Sequence, residues 1–132
     1  MNAGAAIDFV ALPPITREQL REYAEASGDP NPIHLDEEIA RKSGLPGIIA
    51  HGMLSMAFMG ERAMQVLSSH PELRGLRLVS LHARFKAMTL LGDVVSVGGT
   101  VKSASDAELI LDLQAKNQRG ELTTFGSAKF SR

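Results

Sequence analysis

The stretch Gly52 to Leu67, GMLSMAFMGERAMQVL, restricts the fold more than any other part of the chain. Its first two turns carry Met53, Leu54, Met56, Ala57, Phe58 and Met59, so apolar side chains point in nearly every direction. A helix on the surface of a globular protein shows a single apolar stripe. This one is therefore expected to be wrapped on several sides, its four methionines packed in a core rather than lining a cofactor. Glu61, Arg62 and Gln65 mark where it emerges.

The wrapping surface is written downstream, where the hydrophobic period changes to two. Val79, Leu81, Ala83, Phe85 and Ala87 alternate with Ser80, His82, Arg84, Lys86 and Met88. Gly92-Asp93 is a turn, and Val94 to Lys102 reads as a strand. Its Gly98-Gly99 pair predicts a bulge or the close approach of another backbone. Leu109, Leu111, Leu113 and Ala115 alternate with Ile110, Asp112, Gln114 and Lys116, and Asn117 to Glu121 turns the chain into a last strand, Leu122 to Phe130. Upstream, Thr16 and Gln19 form a capping box for a helix from Arg17 to Ser27, with Leu20, Tyr23 and Ala24 on one face and Gly28 just past its end. A shorter helix from Asp36 to Ser43 starts on three acids and closes at Gly44. Helices first and strands after, without βαβ alternation, predict an α+β domain with an antiparallel sheet.

The 132 residues predict one domain. Fourteen Lys and Arg against fifteen Asp and Glu leave no basic stripe for nucleic acid or an anionic membrane. Without Cys there are no disulfides and no thiolate metal sites. No apolar run approaches the ~20 residues that span a bilayer, and MNAGAAIDFV lacks the regions of a signal peptide. A cytoplasmic protein is expected.

The chemistry concentrates in Ser27-Gly28-Asp29-Pro30-Asn31-Pro32-Ile33-His34, which puts a carboxylate and an imidazole on a stiffened loop after a helix. Pro30 and Pro32 fix their own φ and push Asp29 and Asn31 toward extended geometry. An extended chain would hold Asp29 and His34 roughly 17 Å apart, so the Asn31-Pro32 turn must fold the segment back for the two to meet. A second stretch, Ile48-Ile49-Ala50-His51-Gly52-Met53, leads into the apolar helix. The first N–H groups of a helix lack internal partners and lie at its positive end, and a glycine there lets a ligand approach the backbone. Such a place suits a developing oxyanion. Together the two stretches suggest hydration–dehydration or acyl transfer.

Tyr23 to His34, with Ala40 following, resembles the hydratase motif of the MaoC-like, (R)-specific enoyl-CoA hydratase family, and Ile49-Ala50-His51-Gly52-Met53 resembles its oxyanion-hole segment. Ile39-Ala40 and Ala50-His51-Gly52-Met53-Leu54 are similar to the B-type subunit of the (3R)-hydroxyacyl-ACP dehydratases within it. The resemblance implies a hot-dog fold, an antiparallel sheet wrapped around a long central helix. It implies a homodimer or higher oligomer, or a heterodimer with a related subunit, with active sites beside the interface. It further implies a substrate carried as a thioester of coenzyme A or acyl carrier protein, with no cofactor and no metal. Asp29 and His34 match the family's catalytic pair and the Gly52 N–H its thioester-oxygen donor. Asn31 matches a position that shapes the loop, and Ser27, His51 and Met53 fall among supporting positions. Two departures stand out: Gly60 replaces a Ser that some members carry near the aspartate, and no Pro precedes Gly92-Asp93. The short N-terminus is expected to trim the first strand, leaving part of the sheet to a partner.

Other readings weigh less. Asp29, His34, Asp36 and His51 have irregular spacing for a metal site. His70 and His82 have no candidate catalytic partner in the sequence. Arg84 and Lys86 share a strand face and are candidates for a substrate phosphate or for simple solvation. A hot-dog thioesterase would want its carboxylate on the central helix, where Glu61 is the only acid. A non-catalytic acyl-binding subunit would not need the Asp29/His34 pair.

Overall fold

The computed structural model describes residues 1–132. Five strands, β1 (Ala6–Ala11), β2 (Arg77–Phe85), β3 (Ser96–Ala104), β4 (Glu108–Lys116) and β5 (Leu122–Ser131), form one sheet in the order β1-β3-β4-β5-β2. Every neighbouring pair is antiparallel. Three helices, α1 (Arg17–Ser27), α2 (Glu37–Lys42) and α3 (Gly52–Ser68), lie in sequence between β1 and β2. Those two strands are the opposite edges of the sheet, so the intervening chain has to cross it, and α3 packs on its face.

The alternation read along β4 is what fixes the core. Leu109, Leu111, Leu113 and Ala115 all point inward and are fully buried, joined by Val97 and Val101 from β3 and Ala128 and Phe130 from β5. Leu54, Phe58, Met59, Ala63 and Val66 of α3 meet them at helical spacing. The glycine pair of β3 serves a close approach, as its sequence suggested. A Cβ at Gly98 would lie 2.7 Å from the Ile7 carbonyl oxygen, and one at Gly99 would overlap the Asp112 carbonyl. Opposite Gly98 the register of β1 slips between Ile7 and Val10.

One expectation is corrected. The central helix is not wrapped on several sides by its own chain. The sheet covers one face, while Met53 is 56% and Met64 47% exposed and Met56 is half-buried; of the four methionines only Met59 belongs to the core. One sheet can enclose one side of a helix, and the other side of α3 keeps exposed apolar side chains. The first strand is short, as expected: Ala6–Ala11 has 6 residues and pairs with β3 from Ala6↔Thr100 to Ala11↔Ser96. Only Ile7 of that strand is buried, which is why no period-two signal announces it.

Candidate active site

Local chemistry builds the loop that carries Asp29 and His34. Thr16 caps α1 by accepting from the Gln19 N–H at 3.1 Å. The helix ends at Gly28, whose left-handed φ of 74° turns the chain away. The Asp29 N–H donates to the Ala24 carbonyl and to Ser27 Oγ, which assigns Ser27 a place in the turn. Asp29 Oδ1 accepts from the Asn31 N–H at 3.2 Å, and Asn31 Oδ1 accepts from the Ile33 N–H at 3.2 Å. Asn31 thereby caps the single helical turn Pro32–His34 that folds the loop back.

The returning loop docks on the segment before α3. The Ile49 N–H donates to the Ile33 carbonyl, and His34 Nδ1 donates to the Ile49 carbonyl at 2.7 Å. A carbonyl oxygen can only accept, so His34 carries a hydrogen on Nδ1. Its other nitrogen, Nε2, faces Asp29 Oδ2 at 4.0 Å. The imidazole is 8% exposed, while the Asp29 side chain is 53% exposed. A sheltered imidazole thus looks onto a carboxylate that solvent can reach.

His51 closes the arrangement. Its ring stacks on His34 with centroids 3.7 Å apart and planes 24° from parallel, and its Nε2 donates to the Asp29 carbonyl at 3.1 Å. Tyr23 lies against the same ring, 4.8 Å between centroids. From the sequence Tyr23 was read only as part of the apolar face of α1 and as the head of the quoted motif, not as a site residue. The next residue, Gly52, opens α3, and its N–H donates to no carbonyl or side chain of the protein. Gly52 borders a cleft of about 300 Å³ that is also lined by Ser55, Phe85, Lys86 and Thr89. A Cβ at Gly52 would come 3.4 Å from the Phe85 ring, an ordinary contact, so the glycine is not demanded by packing. Met53 is exposed to solvent, Arg84 does not border the cleft, and Gly60 packs against Leu81.

Asp29, His34 and His51 bring ligand-capable atoms within 4.8 Å of one another. A metal bound about 2.0–2.1 Å from each imidazole nitrogen has to lie close to both ring planes. Two rings stacked face to face share no such point, and His34 Nδ1 and His51 Nε2 already donate to carbonyls. The arrangement suits proton transfer rather than metal ligation. No helix is long and apolar enough to cross a membrane.

Comparison with known proteins identifies relatives of the chain and of its fold. The chain is 35% identical over 133 residues to Fatty acid synthase 2 of Mycosarcoma maydis, an alignment that takes in 98% of this chain and 4% of that protein. It is 35% identical over 78 residues to the mitochondrial 3-hydroxyacyl-[acyl-carrier-protein] dehydratase of Arabidopsis thaliana, covering 59% of this chain and 43% of that one. The chain thus spans less than half the length of either relative. Among solved structures, an R-hydratase of Pseudomonas aeruginosa superimposes with a TM-score of 0.86 at 28% identity, over 99% of this chain and 81% of the other. The (R)-hydratase of A. caviae shares the fold, with a TM-score of 0.81 at 22% identity over 99% and 96% of the two chains. The family model described as "MaoC like domain" matches residues 2–119. The chain belongs to the family of MaoC-like domains, with their hot-dog fold.

Proposed function

We propose that this protein interconverts trans-2-enoyl and (3R)-hydroxyacyl thioesters by adding and removing water. The observation that carries the reading is the gap between His34 Nε2 and Asp29 Oδ2, 4.0 Å wide, with the Nδ1–H of His34 tied to a carbonyl. A water roughly 2.8 Å from each atom sits off the line joining them and meets both at about a right angle. Neutral His34 then offers Nε2 as an acceptor, and the half-exposed carboxylate offers a second one.

In the hydration direction the pair orients this water toward C3 of the enoyl group. As the C3–O bond forms, the π electrons shift toward C2 and the thioester oxygen gains enolate charge. The free N–H of Gly52, at the positive end of α3, is the donor for that oxygen; losing one such donor typically costs ~2.7–4 kcal/mol. The proton taken from water returns to C2, so the reaction is balanced without a cofactor. The cleft beside Gly52 admits the thioester arm, which coenzyme A and acyl carrier protein present alike. The names of the relatives, a dehydratase and an R-hydratase, support the same reaction class.

A thioesterase reading fares worse on geometry. Glu61, the central-helix acid, lies nine residues beyond Gly52, about 13 Å along the axis. The exposed apolar side of α3 and the exposed Leu78, Val79 and Phe85 of the edge strand β2 support a dimer, with a second copy or a related subunit covering them.

The test follows loss of enoyl absorbance from crotonyl-CoA and trans-2-octenoyl-CoA, with thiol detection alongside. Hydration that disappears in His34→Ala, without thiol release, is the expected result. Thiol release that depends on Glu61 would replace this reading with the thioesterase one.

A further inference from the structure

His51 is a buried polar side chain to which the proposed reaction gives no task. It is 3% exposed, and its Nδ1 is enclosed without a hydrogen-bond partner. Because Nε2 donates to the Asp29 carbonyl, Nδ1 of the neutral ring is a bare acceptor. Enclosing an unpaired acceptor is unfavourable, so the other contacts of the ring must compensate, and besides Tyr23 they include two groups of the site. One edge holds the Asp29 backbone, one face covers the His34 imidazole, and the peptide that follows is the Gly52 amide.

The loop needs such a tie at one particular end. Ile33 and His34 are both fastened to Ile49, which secures the far end. Asp29 is otherwise bonded only to Ala24, Ser27 and Asn31, its own neighbours along the chain. The His51–Asp29 hydrogen bond is the one that joins the carboxylate-bearing end of the loop to the start of α3.

We infer that His51 is a positioning residue, a rigid neutral ring that sets the distance between the Asp29/His34 pair and the Gly52 amide. The inference rests on the hydratase reading above and assigns His51 no contact with substrate. Its action is on placement, and a misplacement of about 1 Å can cost about 10²-fold in rate. The effect belongs in kcat, since the groups being placed act on the transition state more than on the bound substrate.

Two variants separate the functions of the ring. His51→Phe keeps a flat face for His34 and loses the donor; His51→Gln keeps a donor near the place of Nε2 and loses the face. With crotonyl-CoA, kcat of His51→Phe is expected to fall about 10²-fold with KM within about threefold of wild type, and His51→Gln to recover about tenfold of that loss. Nitrogen chemical shifts of the wild-type rings are expected to show His51 as the Nε2–H tautomer, a readout independent of turnover and of variant folding. A folded His51→Phe with wild-type kcat, a His51→Gln no better than His51→Phe, or an Nδ1–H tautomer overturns the inference. A wild type inert toward both enoyl-CoAs removes the hydratase reading and this role with it, whereas an active wild type with unaffected variants removes this role alone.

Discussion

Two aspartates follow a glycine at a turn in this chain, and the fold treats them in opposite ways. Asp93, after Gly92, is 3% exposed, and its oxygens accept from the Leu90 N–H at 2.9 Å, Gln118 Nε2 at 3.0 Å and Arg119 Nη1 at 3.4 Å. Asp29, after Gly28, accepts one backbone N–H on Oδ1 and leaves Oδ2 facing His34 across a gap. Both turns are Gly-Asp in sequence and both glycines are left-handed. The lesson is one of remaining valence. A carboxylate with both oxygens engaged holds a fold together, and one with an oxygen to spare beside an imidazole can move a proton.

The sharpest way to break this comparison is to neutralise Asp29. Asp29→Asn keeps shape and the bond from the Asn31 N–H but loses the proton acceptor, so hydration should drop about 10²–10⁴-fold. Retained turnover of crotonyl-CoA, in a preparation free of host hydratase, would end the assignment. The reciprocal change is Asp93→Ala, which strands three donors around the turn. It should lower stability by about 2–4 kcal/mol in urea unfolding, while activity per folded molecule stays near wild type. Should Asp93→Ala abolish turnover in a folded protein, the division of labour drawn here is wrong. Stability of Asp29→Asn supplies a third measure: a half-exposed loop carboxylate contributes modestly, and a change within about 0.5 kcal/mol is expected.

The smallest effect belongs to another half-exposed carboxylate. A bond from its own backbone N–H, aided by His70 and the chain's amino group, holds Glu72 below the usual carboxylate range. Because its folded pKa is lowered, its contribution is present above the unfolded value and vanishes as pH falls through the folded one. Glu72→Gln should therefore be slightly less stable than wild type at neutral pH and indistinguishable from it in acid. A difference that grows toward acid would reverse the sign.

What the sequence disclosed follows the range of the forces involved. Thr16, Gly28 and the Asn31-Pro32 turn act on backbone within four residues, and each was legible as a cap or turn, whereas Asp36, read as the first helical residue, caps its helix instead. Strong alternation made β4 plain because every second side chain lies on the face that meets the core. The first strand, with one buried residue, left no such trace. The stack of His51 on His34 joins residues seventeen apart through a loop docking that no local pattern encodes. The composition of α3 announced burial on several sides, but it did not say which body supplies each side.

The two borders of the sheet differ in a way that bears on how the protein can assemble. Along β1 the register slips at Asp8 and Phe9, Arg62 Nη2 takes the Asp8 carbonyl at 2.8 Å, and Lys116 sits over the Phe9 ring. A newcomer strand would find an irregular, partly occupied ladder there. The opposite border, β2, pairs with β5 without a slip from Ser80 to Phe85 and leaves its outer side unpaired. A strand approaching β2 would find a regular, unpaired ladder, and one approaching β1 would not. If two copies met through β2, that isologous contact would consume the regular border of both and leave only the irregular ones outward.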